Sequence, residues 1–283
     1  DLFNFIPDNM SSQSSWDNVG ISDKVANLNL NSEKDKARYL ASTTAESNLW
    51  LAALPSKHLG TLLDNNAFRI SIALRFGLDI CSRHNCRCGD TVFKDGLHGL
   101  SCIYSAGRLP CHSELNNIIH QSLQSSQIPA RREPEGMFRD DGKRVDGVTL
   151  IPWSKGQNLV WDATCSDTMA PSYLELSCNG PGKVATKAAN VKLSKYKKLL
   201  DQNYIILPFA VETLGQWCDE AIKFIDTLGN LIKERTCETR AKMYLKQRIG
   251  MAIQRTNAAR VMGTFGDNCK GLEEIFYILQ NTI

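Results

Sequence analysis

The sequence predicts a mixed α/β (α+β) fold in which a small mixed sheet is flanked by helices. A Cys/His-rich module precedes the sheet and helices follow it. Three observations predict this. Two apolar-rich runs, Val145 to Ile151 and Asn158 to Thr164, enclose the turn-rich Pro152-Trp153-Ser154-Lys155-Gly156, which is a hairpin signal with a longer loop. Around that hairpin, the apolar periodicities order the elements as helix 111–126, strand 130–135, strands 144–151 and 158–164, helix 183–200 and strand 203–211. Beyond residue 215 the apolar spacing is helical throughout.

Length and composition bound the reading. With 283 residues, 42% hydrophobic and 22% charged, the chain has room for one large or two small globular domains. No run approaches the ~18–20 apolar residues of a membrane span, so no membrane partner is expected. The net charge of +3 says little about partners by itself. The first fifteen residues, DLFNFIPDNMSSQSS, lack the basic start and apolar core of a secretory signal. The chain opens on Asp1 rather than Met, and the expectation is a fragment or a processed chain. Ten cysteines without a secretory signal favour a reducing, nuclear or cytoplasmic setting over a disulfide framework.

The first 35 residues are rich in Asn, Ser and Asp, and a connector, partly disordered, is expected over 1–45. A helical linker over 46–80 follows from the helical spacing between Lys34 and Ala53, broken at Leu54-Pro55, and from the apolar run Phe68 to Leu78. Residues 81–104 hold a C-x-C-x9-H-x3-C pattern in Cys86, Cys88, His98 and Cys102. Two thiolates in a tight turn and a His/Cys pair one helical turn apart can complete a tetrahedral zinc site of structural type. Cys81 and His84 are spare ligands for it, with Cys81 the substitute for one of the four.

Helix 111–126 presents Leu115, Ile118, Ile119 and Leu123 on one face, with His112, Glu114 and His120 at polar positions. Glu114 is the residue of interest there, because a carboxylate leaning toward a sheet can add to a metal site. The strand at Ala130 stops at Pro134, and Phe138 to Gly142 is a charged turn. If the hairpin pairs symmetrically about Ser154, Asp146 stands opposite Asp162. Their Cβ atoms would then be roughly 4.5–5.5 Å apart on one face, a destabilising placement of like charges unless something lies between them. A divalent cation with oxygen ligands is the natural occupant. Residues 183–200 form a helix with a strongly basic side, Lys183, Lys187, Lys192, Lys195, Lys197 and Lys198, suited to a phosphate backbone. Pro208 makes strand 203–211 an edge or bulged strand. Helices 216–233 and 240–262 carry apolar stripes, with Lys233, Arg235, Arg240, Lys242, Lys246, Arg248, Arg255 and Arg260 on the opposite faces. No phosphate-binding glycine loop, dinucleotide fingerprint or nucleophile elbow is present, which leaves nucleotide hydrolysis, dinucleotide binding and serine hydrolase chemistry without support.

The αβββαβ order, with an acid on the second and third strands and lysines nearby, resembles the core of the PD-(D/E)xK restriction-like nucleases. The succession Cys86, Cys88, His98, Cys102, then Arg144, Asp146, Asp162, Thr164, then Lys192, Lys195, Tyr196 is similar to the C-terminal region of non-LTR retrotransposon, reverse-transcriptase-like polyproteins. The segments HGLSC, KRVDGVTLIPW and LVWDAT carry the likeness, which covers about residues 45–265. Val145 stands where that pattern usually has proline and Thr164 where it often has lysine. The resemblance implies a zinc knuckle over 81–104, a restriction-endonuclease-like core over 105–214 and a helical extension over 215–283. It implies DNA cleavage, with DNA or RNA as partner and a reverse transcriptase domain in the parent polyprotein. Asp146 and Asp162, with a backbone carbonyl near Ala163, would hold Mg²⁺ or Mn²⁺. The lysine would come from the following helix, as Lys192 or Lys195. Arg144, Lys187 and Lys198 would contact nucleic acid, and Glu114, Glu133 or Thr164 would support the metal ligands. Two other readings compete: a catalytically degenerate nucleic-acid-binding module with a structural zinc site, and a scaffold in which zinc and helices only support folding.

Overall fold

The computed structural model describes residues 12–105 and 108–265. The chain begins with α1 (Gln13–Ala26) and α2 (Glu33–Ser42), then a 3₁₀ turn at Glu46–Asn48 and α3 (Asn65–Phe76). The short strands β1 (His84–Asn85) and β2 (Thr91–Val92) precede α4 (His98–Ser101) and α5 (Arg108–Ser125). Next come β3 (Ala130–Arg132), β4 (Gly147–Thr149) and β5 (Leu159–Ser166). Helices α6 (Leu174–Cys178), α7 (Lys183–Leu193) and α8 (Lys197–Asp201) lead to β6 (Ile205–Glu212), and α9 (Asp219–Thr236) and α10 (Ala241–Met262) close the described chain.

The main sheet has the order β3-β4-β5-β6. Its first three strands pair antiparallel, and β5 and β6 pair in parallel across the α6–α8 crossover. A small mixed sheet is therefore present, as expected. Gly147 pairs with Trp161 and Val148 with Val160, a register symmetric about Ser154. Strand β6 is an edge strand, which tolerates the missing N–H of Pro208.

Side-chain alternation divides the sheet faces. Leu159, Trp161, Ala163, Leu207, Phe209 and Val211 join the largest core with Leu115, Ile118, Ile119 and Leu123 of α5 and Phe224, Ile225 and Leu228 of α9. Val148, Val160 and Ile206 pack on the other side with Tyr196 and Leu199. The site residues described below sit at the end of β4, where the two sides meet.

Several expectations change. Where a connector over 1–45 was expected, α1 forms, while α2 stands where the helical spacing from Lys34 placed a helix, with Ala37 and Ala41 buried in a second core. Residues 1–11 lie outside the described residues. Ser32 starts α2 by accepting the Asp35 N–H at 3.1 Å, and Asp64 starts α3 by accepting those of Asn66 and Ala67 at 2.8 and 2.9 Å. The second core also draws Ile70 and Leu74 of α3, Leu97 and Leu100 of the Cys/His module, Met169, Leu214, and Ala258 and Val261 of α10. The segments read as separate along the sequence thus share one interior.

The helix expected over 183–200 is two helices. The Ser194 hydroxyl donates back to the Val191 carbonyl at 2.9 Å, an alternative partner that competes with the helix. The Asp140 carboxylate receives the Lys197 N–H at 3.1 Å and the Lys198 N–H at 3.4 Å, which satisfies the start of α8. Helix α10 differs most from its reading. Every residue from Ile249 to Val261 is buried. Arg255 and Arg260, expected on an exposed basic face, lie inside. Arg255 Nη2 donates to the carbonyls of Gly60 and Leu62 at 2.5 and 2.9 Å, and burial lowers its pKa. Lys242 and Lys246 both pair with Asp226 of α9, at 2.9 and 2.8 Å.

Candidate active site

The register brings Asp146 and Asp162 together. Asp146 lies just before β4, its N–H donating to the Trp161 carbonyl at 3.2 Å and its carbonyl accepting from Glu133 at 2.9 Å. Gly147 next to it has no side chain for a steric reason. A Cβ there would lie 2.0 Å from Cζ2 of the Trp161 indole, which crosses over the glycine. Asp162 follows Trp161 and points to the opposite side, toward α7 and α8.

The two carboxylates have different surroundings. Asp146 Oδ2 accepts from the Ala163 N–H at 2.6 Å and lies 2.9 Å from His112 Nε2. Burial acts to raise the Asp146 pKa, but the His112 imidazole and the Ala163 amide outweigh it and hold the group below its ordinary value. His112 is raised in turn, chiefly by its hydrogen bond to Asp146. Asp162 is almost wholly enclosed. Its Oδ2 accepts from Arg139 Nη1 at 2.8 Å and from the Tyr196 hydroxyl, and its Oδ1 accepts from Lys192 Nζ. Burial, then Asp162, pushes the Tyr196 phenol well up, so its hydroxyl stays a donor.

Arg139 also forks onto Asp141, with contacts of 2.9 and 2.6 Å, and Lys195 Nζ stands 3.6 Å from the same carboxylate. Asp141 and Asp162 are thus balanced by Arg139, Lys192 and Lys195, and Asp146 by His112. The repulsion anticipated between opposed aspartates is met here by these side chains. An oxygen of Asp146, an oxygen of Asp162 and a ring nitrogen of His112 lie within 4.8 Å of one another, and this group could hold a metal ion.

Of the two lysines expected to serve the site, Lys192 reaches Asp162 and Lys195 reaches Asp141 instead. Glu114 turns elsewhere. It is half-buried among Arg132, Arg248, Arg255 and Asn117, and its pKa is raised chiefly by burial. Glu133 is exposed and touches Asp146 only through its backbone N–H. Thr164 is half-buried on β5, paired with Ala210 and two residues beyond Asp162 on the same face. Arg144 and Lys198 are exposed, on the turn before β4 and at the start of α8. Lys187 is exposed on α7, with its ammonium 5.1 Å from the centre of the Tyr173 ring.

Sequence reading gave no role to Arg139 and left His112 as a polar helix position. One signal was available for His112. It lies one helical turn before Asn116, and a His/Asn pair at that spacing shares a helix face.

A second group, Cys86, Cys88, His98 and Cys102, brings its donor atoms within 4.8 Å of one another. Cys86 and Cys102 Sγ are 3.7 Å apart, and Cys88 Sγ lies 3.2 Å from His98 Nε2. The turn is built by Gly89, at φ +95°, and by the Cys86 N–H donating to the Asp90 carbonyl at 2.8 Å. Cys81 stays outside the group, with its Sγ 3.5 Å from the Phe93 carbonyl. This module docks on the end of α10. Gly99 allows the contact, since a Cβ there would lie 2.8 Å from the Arg260 carbonyl oxygen. His84 Nε2 is 2.9 Å from Thr264 Oγ1, and its ring stacks on Phe265 at 4.2 Å.

Compared with models of known families and with curated proteins, the chain matches none. Among the described residues, no helix is long and apolar enough to cross a membrane.

Proposed function

We propose that the chain is a metal-dependent DNA endonuclease with a restriction-like PD-(D/E)xK core, the nicking module of a retrotransposon-type polyprotein that also carries a reverse transcriptase. The observation that supports it best is the meeting of Asp146, Asp162 and Lys192 at one end of a mixed sheet built in the order α5, β3, β4, β5, α7, β6.

The donor set fits a hard cation, because carboxylate oxygens suit Mg²⁺ or Mn²⁺. Bound there, such an ion supplies Lewis acidity toward the scissile phosphate and a water of lowered pKa. The chain's own residues prepare the site. Asp146 is fixed at Oδ2 by Ala163 and His112. Arg139 and Tyr196 orient Asp162 from behind. Lys192 is the cation that can turn from Asp162 toward a phosphate oxygen and stabilise its growing charge. Exposed Lys143, Arg144, Lys197 and Lys198 border the segment that holds these residues and offer a track for the phosphate backbone.

The Cys/His group fits Zn²⁺. Bonds of about 2.3 Å to sulfur and 2.0–2.1 Å to nitrogen place tetrahedral ligands about 3.5–3.8 Å apart, close to the spacing of these donors. All four positions are filled by protein, which is a structural role, bracing the module against α10.

A second reading, a non-catalytic nucleic-acid-binding module, is favoured by one observation: Arg139, Lys192 and Tyr196 already engage both oxygens of Asp162. The two readings separate in Asp146→Asn. The nuclease predicts that Mn²⁺-dependent nicking is lost while salt-sensitive DNA binding stays. If wild type binds DNA and never nicks it, the binding module stands.

A further inference from the structure

A chain of side chains runs from the interior to Asp146. Trp161 Nε1 donates to Asn116 Oδ1 at 3.1 Å. Indole N–H is only ever a donor, so it fixes which way the Asn116 amide points. Its NH₂ then faces His112, with Nδ2 3.3 Å from the imidazole Nδ1. An amide NH₂ is also only a donor, so Nδ1 must accept. The ring proton of neutral His112 therefore sits on Nε2, which is 2.9 Å from Asp146 Oδ2. Gly147 belongs to the same device, because any side chain there would displace the indole that sets the sequence of donors.

We infer that His112 is a positioning residue of the proposed metal centre, not one of its ligands. Trp161 and Asn116 lock it as the Nε2–H tautomer, and it holds Asp146 by Oδ2. The inference rests on the metal-dependent reading of the Asp146–Asp162 pair, but the tautomer does not. The free alternative, in which His112 Nε2 binds the ion, requires the proton on Nδ1. There it would meet the Asn116 NH₂ head-on. A histidine that orients a carboxylate ligand has the same logic as the outer partners that orient metal-bound histidines.

Two measurements on the full chain test this. In ¹⁵N-histidine-labelled protein without added divalent ion, the signals lost in His112→Gln identify His112. At a pH above the raised His112 pKa, where the ring is neutral, they should show Nδ1 unprotonated and Nε2 carrying the proton, and Asn116→Leu should abolish that preference. Mn²⁺ binding, followed by its electron spin resonance, should weaken about 10-fold in His112→Ala. It should recover to within about twofold of wild type in His112→Gln, whose amide N–H replaces the Nε2–H. The Mn²⁺ spectrum should show no directly coordinated nitrogen. An Nδ1–H tautomer, a nitrogen bound to Mn²⁺, or unchanged affinity in His112→Ala would each overturn the inference. A wild type that binds no Mn²⁺ would instead overturn the metal-dependent reading and with it the role given to His112, while the tautomer would still show whether the lock exists.

Discussion

Lys192 and Asp162 form an ion pair in which the acid is nearly inaccessible and the base lies at the rim, with side-chain exposures of 1% and 18%. The carboxylate keeps Arg139 and Tyr196 whether or not Lys192 stays. Lys192 can thus leave for a substrate without orphaning Asp162. In Lys192→Met, nicking should fall at least about 100-fold, the size typical for loss of one electrostatic stabiliser. Stability should fall by about 1–3 kcal/mol, the cost of one lost partner to a buried acceptor. Single-turnover nicking and urea unfolding give the two quantities.

Gly147→Ala tests the steric logic beside the site. Its Cβ must push the Trp161 indole from 2.0 Å, and the bond to Asn116 goes with it. Overpacking of this kind costs about 1–3 kcal/mol. Urea unfolding should show that loss, and Mn²⁺ affinity should weaken in the same variant.

Glu212 predicts a pH dependence. Its Oε1 accepts the Ala185 N–H at 2.9 Å, so the end of β6 closes the first turn of α7. Burial raises its pKa, with nearby Asp167 contributing in the same direction. A group raised in the folded state costs stability as pH climbs above its unfolded value, about 4.3, and through the folded value. Wild type should therefore lose stability relative to Glu212→Gln between about pH 4 and neutrality. The difference between the two, from urea unfolding at each pH, isolates this group from other carboxylates. A difference that does not change with pH would refute it.

The Cys/His group predicts one zinc per chain. Cys102→Ser or a strong chelator should remove it and lower the thermal transition. Because the module packs on Arg260 and Val261, the end of α10 should lose hydrogen-exchange protection in the same step. Elemental analysis and hydrogen exchange read both effects.

Much of this was legible in the sequence because its determinants are local. The turn at Pro152 to Gly156 sets the hairpin register, and alternation then fixes that Asp146 opposes Asp162. Cysteine and histidine spacing picked out the four donors, and Pro208 marked the edge strand. What was hidden depends on partners far along the chain. Asp140 ends one lysine helix and begins another by taking the N–H groups of Lys197 and Lys198. A basic residue normally signals an exposed face, yet Arg255 and Arg260 are buried because α10 is surrounded on all sides. Arg139 sits in a charged turn with no periodicity, and only the folded loop shows that it bridges Asp141 and Asp162.

The most direct test of the central claim is nicking of supercoiled plasmid in Mg²⁺ or Mn²⁺, with wild type beside Asp162→Asn and both folded and zinc-loaded. Nicking by wild type, absent in the variant and absent without divalent ion, is the predicted result. No nicking by wild type, or equal nicking by the two, would contradict it.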